Sequence, residues 1–292
     1  MSDKIKTGVY GLDPILGGGY REGTVNLVYG KTGVGKTTFG LQYALYGLNR
    51  GEKVTYVSFE MTKKQIVKEC KDMGWDEITK YLENNQLEII HEFGEDVLFL
   101  SKDLLKKIRG KDKRSRASRV IIDPLTHLTF SLRSKNERKA LSKFFEGLRN
   151  ISTAVITLEE RGLSNDEDSS TPLYLADSVV HLENLGFGEM YDRTLKIIKN
   201  RGTNHGEGVY PIDILSGLGL VVEASEDQLK DIRSHKRYDE KFVEAKKEVK
   251  SKLDGEVQES ILNRLEILRN NWTRDEKPDK VIEEVLRTEK EE

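Results

Sequence analysis

Gly30-Lys31-Thr32-Gly33-Val34-Gly35-Lys36-Thr37 sets glycines, an ammonium group and a hydroxyl at the spacing that cradles a polyphosphate. A Gly-rich turn lets successive backbone N–H groups point at one anion, and the dipole of the following helix adds to the attraction. Gly30, Gly33 and Gly35 let the chain wrap around a β-phosphate, with Lys31, Thr32 and Val34 completing the loop. Lys36 is expected to reach the β- and γ-phosphates, Thr37 to coordinate Mg²⁺ through its hydroxyl, and Thr38 to support the first helical turn. The pattern also arises by chance. Here it follows a β-branched run, Thr24 to Tyr29, and opens a helix at Lys36, which is the context the mechanism needs. The ligand expected is ATP with Mg²⁺.

Such a cradle needs an acid on another strand to hold the metal's water shell. Asp123, closing Val120-Ile121-Ile122, fits that role, and a helix N-cap before Pro124 is the competing explanation. Hydrolysis also needs a base to orient water. Glu60 ends the run Val54 to Phe59, which simple βαβ order sets beside the P-loop strand, so its carboxylate is expected over the γ-phosphate. An ordinary surface glutamate at a strand end is the alternative.

The elements that must position these groups alternate apolar strand-like runs with amphipathic helix-like runs over residues 1–224, the pattern of a mostly parallel sheet covered by helices. A helix is expected from Lys36 to the stop at Gly51, another from Lys63 to Met73, and further strands at Leu87 to His91 and Thr153 to Leu158. After Asp177, Ser178 to Glu183, Thr194 to Asn200, Gly208 to Ile214 and Leu218 to Val222 read as strands joined by short turns, an antiparallel edge. Residues 225–292 form a charged helical extension. Val257, Ile261, Leu265, Leu268 and Trp272 make one apolar stripe, and Val281, Ile282, Val285 and Leu286 another. Asp254-Gly255 and Lys277-Pro278 are the breaks. This extension is expected either to fold back on the core or to meet a protein partner.

Of the 292 residues, 34% are charged, but the signs cancel to a net charge of −2, so the whole molecule has no general attraction for nucleic acid or anionic membrane. A local basic run from Lys102 to Arg119 could grip phosphates of DNA, or it could be a solvated connector; it lacks interleaved aromatics for base stacking. The segment Ser164 to Ser170 is acidic and argues against DNA contact. The lone Cys70 excludes an intrachain disulfide framework and fits a reducing compartment. No apolar run is long enough to cross a bilayer and the N-terminus lacks a signal-peptide core, so the expected location is the cytoplasm. The five histidines have no ligand spacing, so Mg²⁺ is the only metal expected.

With Thr7-Gly8-Val9-Tyr10-Gly11-Leu12-Asp13, Leu16-Gly17-Gly18-Gly19, Thr157-Leu158-Glu159-Glu160 and Lys199-Asn200-Arg201-Gly202-Thr203-Asn204-His205, these residues resemble the KaiC-like branch of the RecA superfamily over about residues 7–222. The resemblance implies a RecA-like P-loop NTPase fold and an ATPase that assembles into homo-oligomeric rings, often hexameric, with ATP at subunit interfaces. By motif position it makes Glu60 the water-activating glutamate and Asp123 the Walker B acid. Lys199 and Arg201 become fingers that reach the neighbouring subunit's γ-phosphate. Family members often carry a second acid after the catalytic one, where this chain has Met61, which implies slow hydrolysis. The clock member has two such domains and this chain one, so a clock or autokinase role is not carried over. A regulatory or assembly switch is the leading expectation. A recombinase paralogue that modulates strand exchange and a non-catalytic nucleotide-binding scaffold compete with it.

Overall fold

A computed structural model describes residues 4–92, 97–109, 118–126, 135–160, 171–186, 193–203, 205–223, 238–253, 255–272 and 277–287. The strands are β1 (Lys4–Ile5), β2 (Tyr20–Arg21), β3 (Val25–Gly30), β4 (Val54–Ser58), β5 (Leu87–His91), β6 (Arg119–Asp123), β7 (Thr153–Glu159), β8 (Ser178–Asn184), β9 (Arg193–Asn200), β10 (Val209–Leu215) and β11 (Gly219–Val222). The helices are α1 (Leu12–Ile15), α2 (Lys36–Leu48), α3 (Lys63–Asp72), α4 (Ile78–Glu83), α5 (Val97–Arg109), α6 (Lys135–Arg149), α7 (Thr171–Leu175), α8 (Asp239–Lys252), α9 (Gly255–Asn271) and α10 (Asp279–Arg287).

The main sheet is nine-stranded, in the order β11-β10-β9-β8-β3-β7-β6-β4-β5. The run from β8 to β5 is parallel, and β9, β10 and β11 pair antiparallel at one edge. This is the α/β architecture expected, with two adjustments. First, β8 lies parallel to β3, so the antiparallel part begins one strand later than the short turns suggested. Second, β4 is not beside the P-loop strand: β7 and β6 lie between β3 and β4. Consecutive strands are neighbours only about two-thirds of the time, because a crossover can pass over intervening strands, so chain order alone does not fix the neighbour. The helix itself ends at Leu48, ahead of Gly51.

Alternation along each strand sends side chains to opposite faces, and both faces are covered, which is why the parallel strands read as unbroken apolar runs. Val28, Tyr56 and Ile121 pack under α2 with Phe39, Leu41 and Ala44. Leu27, Val57, Val120 and Ile122 pack on the other face against Leu104 and Ile108 of α5 and Phe144, Phe145 and Leu148 of α6. The C-terminal helices fold back. Phe242, Val249, Ile261, Leu265, Leu268, Ile282 and Val285 bury themselves with Tyr10, Leu218 and Val221. Val257, by contrast, is 43% exposed and contributes little to the stripe.

The basic run is divided by the fold. Arg119 is not a solvent group at all: it is 1% exposed, hydrogen-bonded to Glu52 at 2.7 and 3.1 Å, and its guanidinium lies 4.4 Å from the Tyr43 ring. A Cβ on Gly47 would sit 2.5 Å from Arg119 Nε, so α2 carries a glycine where the guanidinium passes. Lys106 and Lys107 pair with Asp103 and Glu92. Lys111, Lys113, Arg114 and Arg116, like the acidic segment Ser164 to Ser170, lie outside the described residues.

Candidate functional site

The loop from Gly30 to Gly35 leaves the C-terminal edge of the sheet and turns into α2. Gly33 and Gly35 hold φ of 78° and 102°, a region that side-chain-bearing residues rarely enter, while Val34 is buried in the core and pins the loop from below. Gly35 is the N-cap of α2 and no side chain caps that end; the first turn carries no acid. The leading N–H groups of Lys36, Thr37 and Thr38 have no intrahelical acceptor by helix geometry, so this end favours an anion.

Above the loop is a cleft of about 350 Å³, lined by Thr32, Gly33, Gly35, Lys36, Thr37, Thr38, Glu60, Glu69, Asp123, Pro124, Glu159 and Ile214. Lys36, Thr37, Asp123 and Glu60 all line it, although Glu60 arrives by another route than simple βαβ order. β4 pairs with β6, with Ser58 opposite Asp123, so the residue two beyond Ser58 emerges on the cleft from across Asp123. Met61 turns away and packs against the core under α2, its N–H donating to Ser58 Oγ at 2.9 Å. An acid at that position would face an apolar cluster, a costly setting for a carboxylate.

Asp123 is 4% exposed and both its oxygens accept hydroxyl hydrogen bonds, Oδ2 from Tyr56 at 2.6 Å and Oδ1 from Thr157. Pro124 and Leu125 form a turn, and the contacts found for the Asp123 carboxylate are these hydroxyls; no N-cap bond accompanies them among the described residues. Each carboxylate oxygen keeps a lone pair after one such bond. Burial pushes the Tyr56 hydroxyl's pKa well above its ordinary value, and the neighbouring Asp123 adds to the effect, so Tyr56 remains a donor.

Lys36 Nζ donates to the carbonyls of Gly30 and Lys31 at 2.8 and 2.7 Å. Burial lowers its pKa, opposed by Glu159, Asp123, Glu60 and Glu160 in that order. The all-oxygen donor set of Thr37 and Asp123 suits a hard cation. Among the described residues no three His, Cys, Asp or Glu side chains form a metal cage, and a nucleotide-borne Mg²⁺ needs none, because phosphate oxygens and water complete its shell. The residues present fit that ion.

Lys199 and Arg201 are not in this cleft. Lys199 pairs with Val179 on β8, and the adjoining Ser178 pairs with Asn26 near the start of β3. They lie at the opposite edge of the sheet from Gly30, about 13 Å away along the strands at about 3.3 Å per residue. Lys199 Nζ donates to the carbonyls of Leu173 and Tyr174 at 3.1 and 3.0 Å, and Arg201 to Tyr174 at 3.1 Å. Burial lowers the Lys199 pKa, and the charge of Arg201 lowers it further. Sequence reasoning missed Glu69, Tyr56 and Thr157 here and gave Glu159 no task; strand adjacency exposes Tyr56, Thr157 and Glu159, and the docking of α3 brings Glu69 to the cleft.

Cys70 is buried and its thiol is pushed up to about 12, first by burial and then by Glu77 and Glu69. No helix among the described residues is long and apolar enough to cross a membrane.

The sequence is similar to known proteins along most of its length. Circadian clock protein KaiC3 of Synechocystis sp. is 29% identical over 233 residues, 75% of this chain and 45% of the relative. Circadian clock oscillator protein KaiC of Synechococcus elongatus is 32% identical over 224 residues, 72% of this chain and 42% of the relative. Circadian clock protein KaiC2 of Synechocystis sp. is 28% identical over 221 residues, 71% and 38% respectively. The chain thus spans less than half the length of these curated relatives. The family model described as "ATPase: KaiC" matches residues 5–227, covering the P-loop, Glu60, Asp123, Lys199 and Arg201, and the chain belongs to that family of ATPases.

Proposed function

We propose that this chain binds ATP with Mg²⁺ at the P-loop and hydrolyses it as one subunit of a homo-oligomeric ring, hexameric by family resemblance, in which nucleotide state acts as a regulatory or assembly switch. The convergence of Lys36, Thr37, Asp123 and Glu60 on one cleft carries the reading. The N–H groups from Gly33 to Thr38 cradle the β-phosphate. Lys36 swings from its carbonyl partners to the β- and γ-phosphate oxygens. Thr37 and Asp123 would hold Mg²⁺, which would supply charge neutralisation at the phosphoryl group. Glu60 orients a water whose oxygen bonds to the γ-phosphorus as the bridging P–O bond to ADP breaks, and it accepts the proton.

Lys199 and Arg201 cannot reach the γ-phosphate of their own chain from the opposite sheet edge, so the finger role assigns them to the neighbouring subunit. Exposed Tyr174 and Ile198, beside these cations, suit a subunit contact. The C-terminal helices spend their apolar faces on the core, so an unidentified protein partner would meet their charged outer surface. With Met61 packed against the core, Glu60 is the single acid at this strand end, in keeping with slow turnover. A cytoplasmic location suits the buried free thiol of Cys70. The DNA-handling alternative loses Arg119 to the core and Lys106 and Lys107 to ion pairs.

Glu60→Gln tests the catalytic assignment. ATP binding should persist while Mg²⁺-dependent phosphate release falls about a hundredfold or more. Unchanged turnover would remove Glu60 from the mechanism.

A further inference from the structure

Glu159 stands closer to the phosphate loop than any role given above requires. β7 pairs beside β3 with Glu159 opposite Gly30, and two backbone contacts fix it there. Its own N–H donates to Thr126 Oγ1 at 2.9 Å, and the next N–H, of Glu160, donates to the Gly30 carbonyl at 2.9 Å. It follows Thr157 by two residues and so shares the face on which Thr157 meets Asp123. From that position Glu159 Oε1 accepts a hydrogen bond from Thr32 Oγ1, on the loop itself.

The site therefore holds one ammonium group, Lys36, within electrostatic reach of Glu159, Asp123, Glu60 and Glu160. The other acids have evident partners or tasks. Asp123 is gripped by Tyr56 and Thr157, Glu160 turns to His181 Nε2 at 3.1 Å, and Glu60 has the water-orienting task proposed above. Glu159 bends onto the loop that must receive the polyphosphate. A bare nucleotide adds several negative charges to an already acidic cleft, whereas a cation-bound one adds fewer.

We propose that Glu159 is a positioning residue that makes nucleotide capture conditional on a divalent cation: tied to Thr32, its carboxylate opposes a bare triphosphate and tolerates one carrying Mg²⁺. The inference rests on the P-loop binding ATP, and it concerns the regulation of that same site.

The experiment titrates a fluorescent ATP analogue against the full chain in excess Mg²⁺ and, separately, in excess chelator. Glu159→Gln keeps an acceptor for Thr32 and removes only the charge. Its cation-free affinity should rise about tenfold while its affinity with Mg²⁺ stays within about twofold of the parent, so the ratio of the two contracts. Thr32→Val removes the tether but keeps the charge, so its ratio should contract part of the way towards that of Glu159→Gln. A parent that binds the analogue with Mg²⁺ while Glu159→Gln leaves the ratio unchanged overturns the inference and spares the ATP reading. A parallel loss of both affinities in Glu159→Gln marks a purely structural support and overturns it as well. A parent that binds nothing under either condition defeats the ATP reading and this inference together.

Discussion

Strand β6 begins at Arg119 and ends at Asp123, so a single five-residue strand carries charge to both edges of the sheet. At the lower edge four of the five N–H donors of Arg119 are matched. Glu52 takes two of its hydrogen bonds, the Lys6 and Tyr43 carbonyls take others at 2.8 and 3.2 Å, and Tyr43 and Tyr46 lie 4.4 and 5.3 Å from its guanidinium carbon. Asp177 plays a similar part nearby, meeting Arg149 at 2.8 Å and the Val25 N–H at 3.0 Å. At the upper edge the balance is broken: several carboxylates surround Lys36, whose ammonium group is satisfied by backbone carbonyls. Buried charge with partners organises a fold, and charge left in excess beside a phosphate cradle is available for a ligand.

The fingers offer the sharpest way to break this division, because Lys199 and Arg201 sit at the lower, structural edge yet are assigned to chemistry. Replacing both by alanine should cut turnover about a thousandfold with ATP affinity within about threefold of the parent. Turnover per chain in the parent should also climb with protein concentration as subunits assemble. Variants that hydrolyse ATP like the parent but melt earlier would return both residues to the structural side, as caps on the carbonyls of α7.

A smaller effect sharpens the contrast from the other direction. Arg119→Met should lower unfolding free energy by about 3 kcal/mol, because Glu52 and two carbonyls lose their partner, while the folded fraction binds ATP as before. Chemical denaturation with and without nucleotide measures both quantities. An unchanged midpoint would mean that the buried pair does not hold the lower edge.

The phosphate loop was legible because its chemistry is local: glycines, Lys36 and Thr37 lie within one turn and one helix start. Asp123 was legible for a related reason, an acid at the end of an apolar run. The apolar stripes of the C-terminal helices were equally readable, but their seat on Tyr10 and Val221 was not. Glu60 reaches the cleft through a different neighbour than chain order suggests, since periodicity gives strands without their order. Arg119 was read as part of a basic run, either a phosphate grip or a solvated connector, because Glu52 lies 67 residues away in sequence. Glu159 stood in view at a strand end, and only the pairing of β7 with β3 shows that it reaches the loop.

Everything at the upper edge depends on a triphosphate resting on the amides that follow Gly33 with Lys36 against it. Equilibrium binding of labelled ATP with Mg²⁺ to the parent and to Lys36→Ala tests this most directly. The account predicts saturable binding by the parent and a loss of about a hundredfold or more in the variant, with both proteins equally folded. Equal affinity in the two would contradict it.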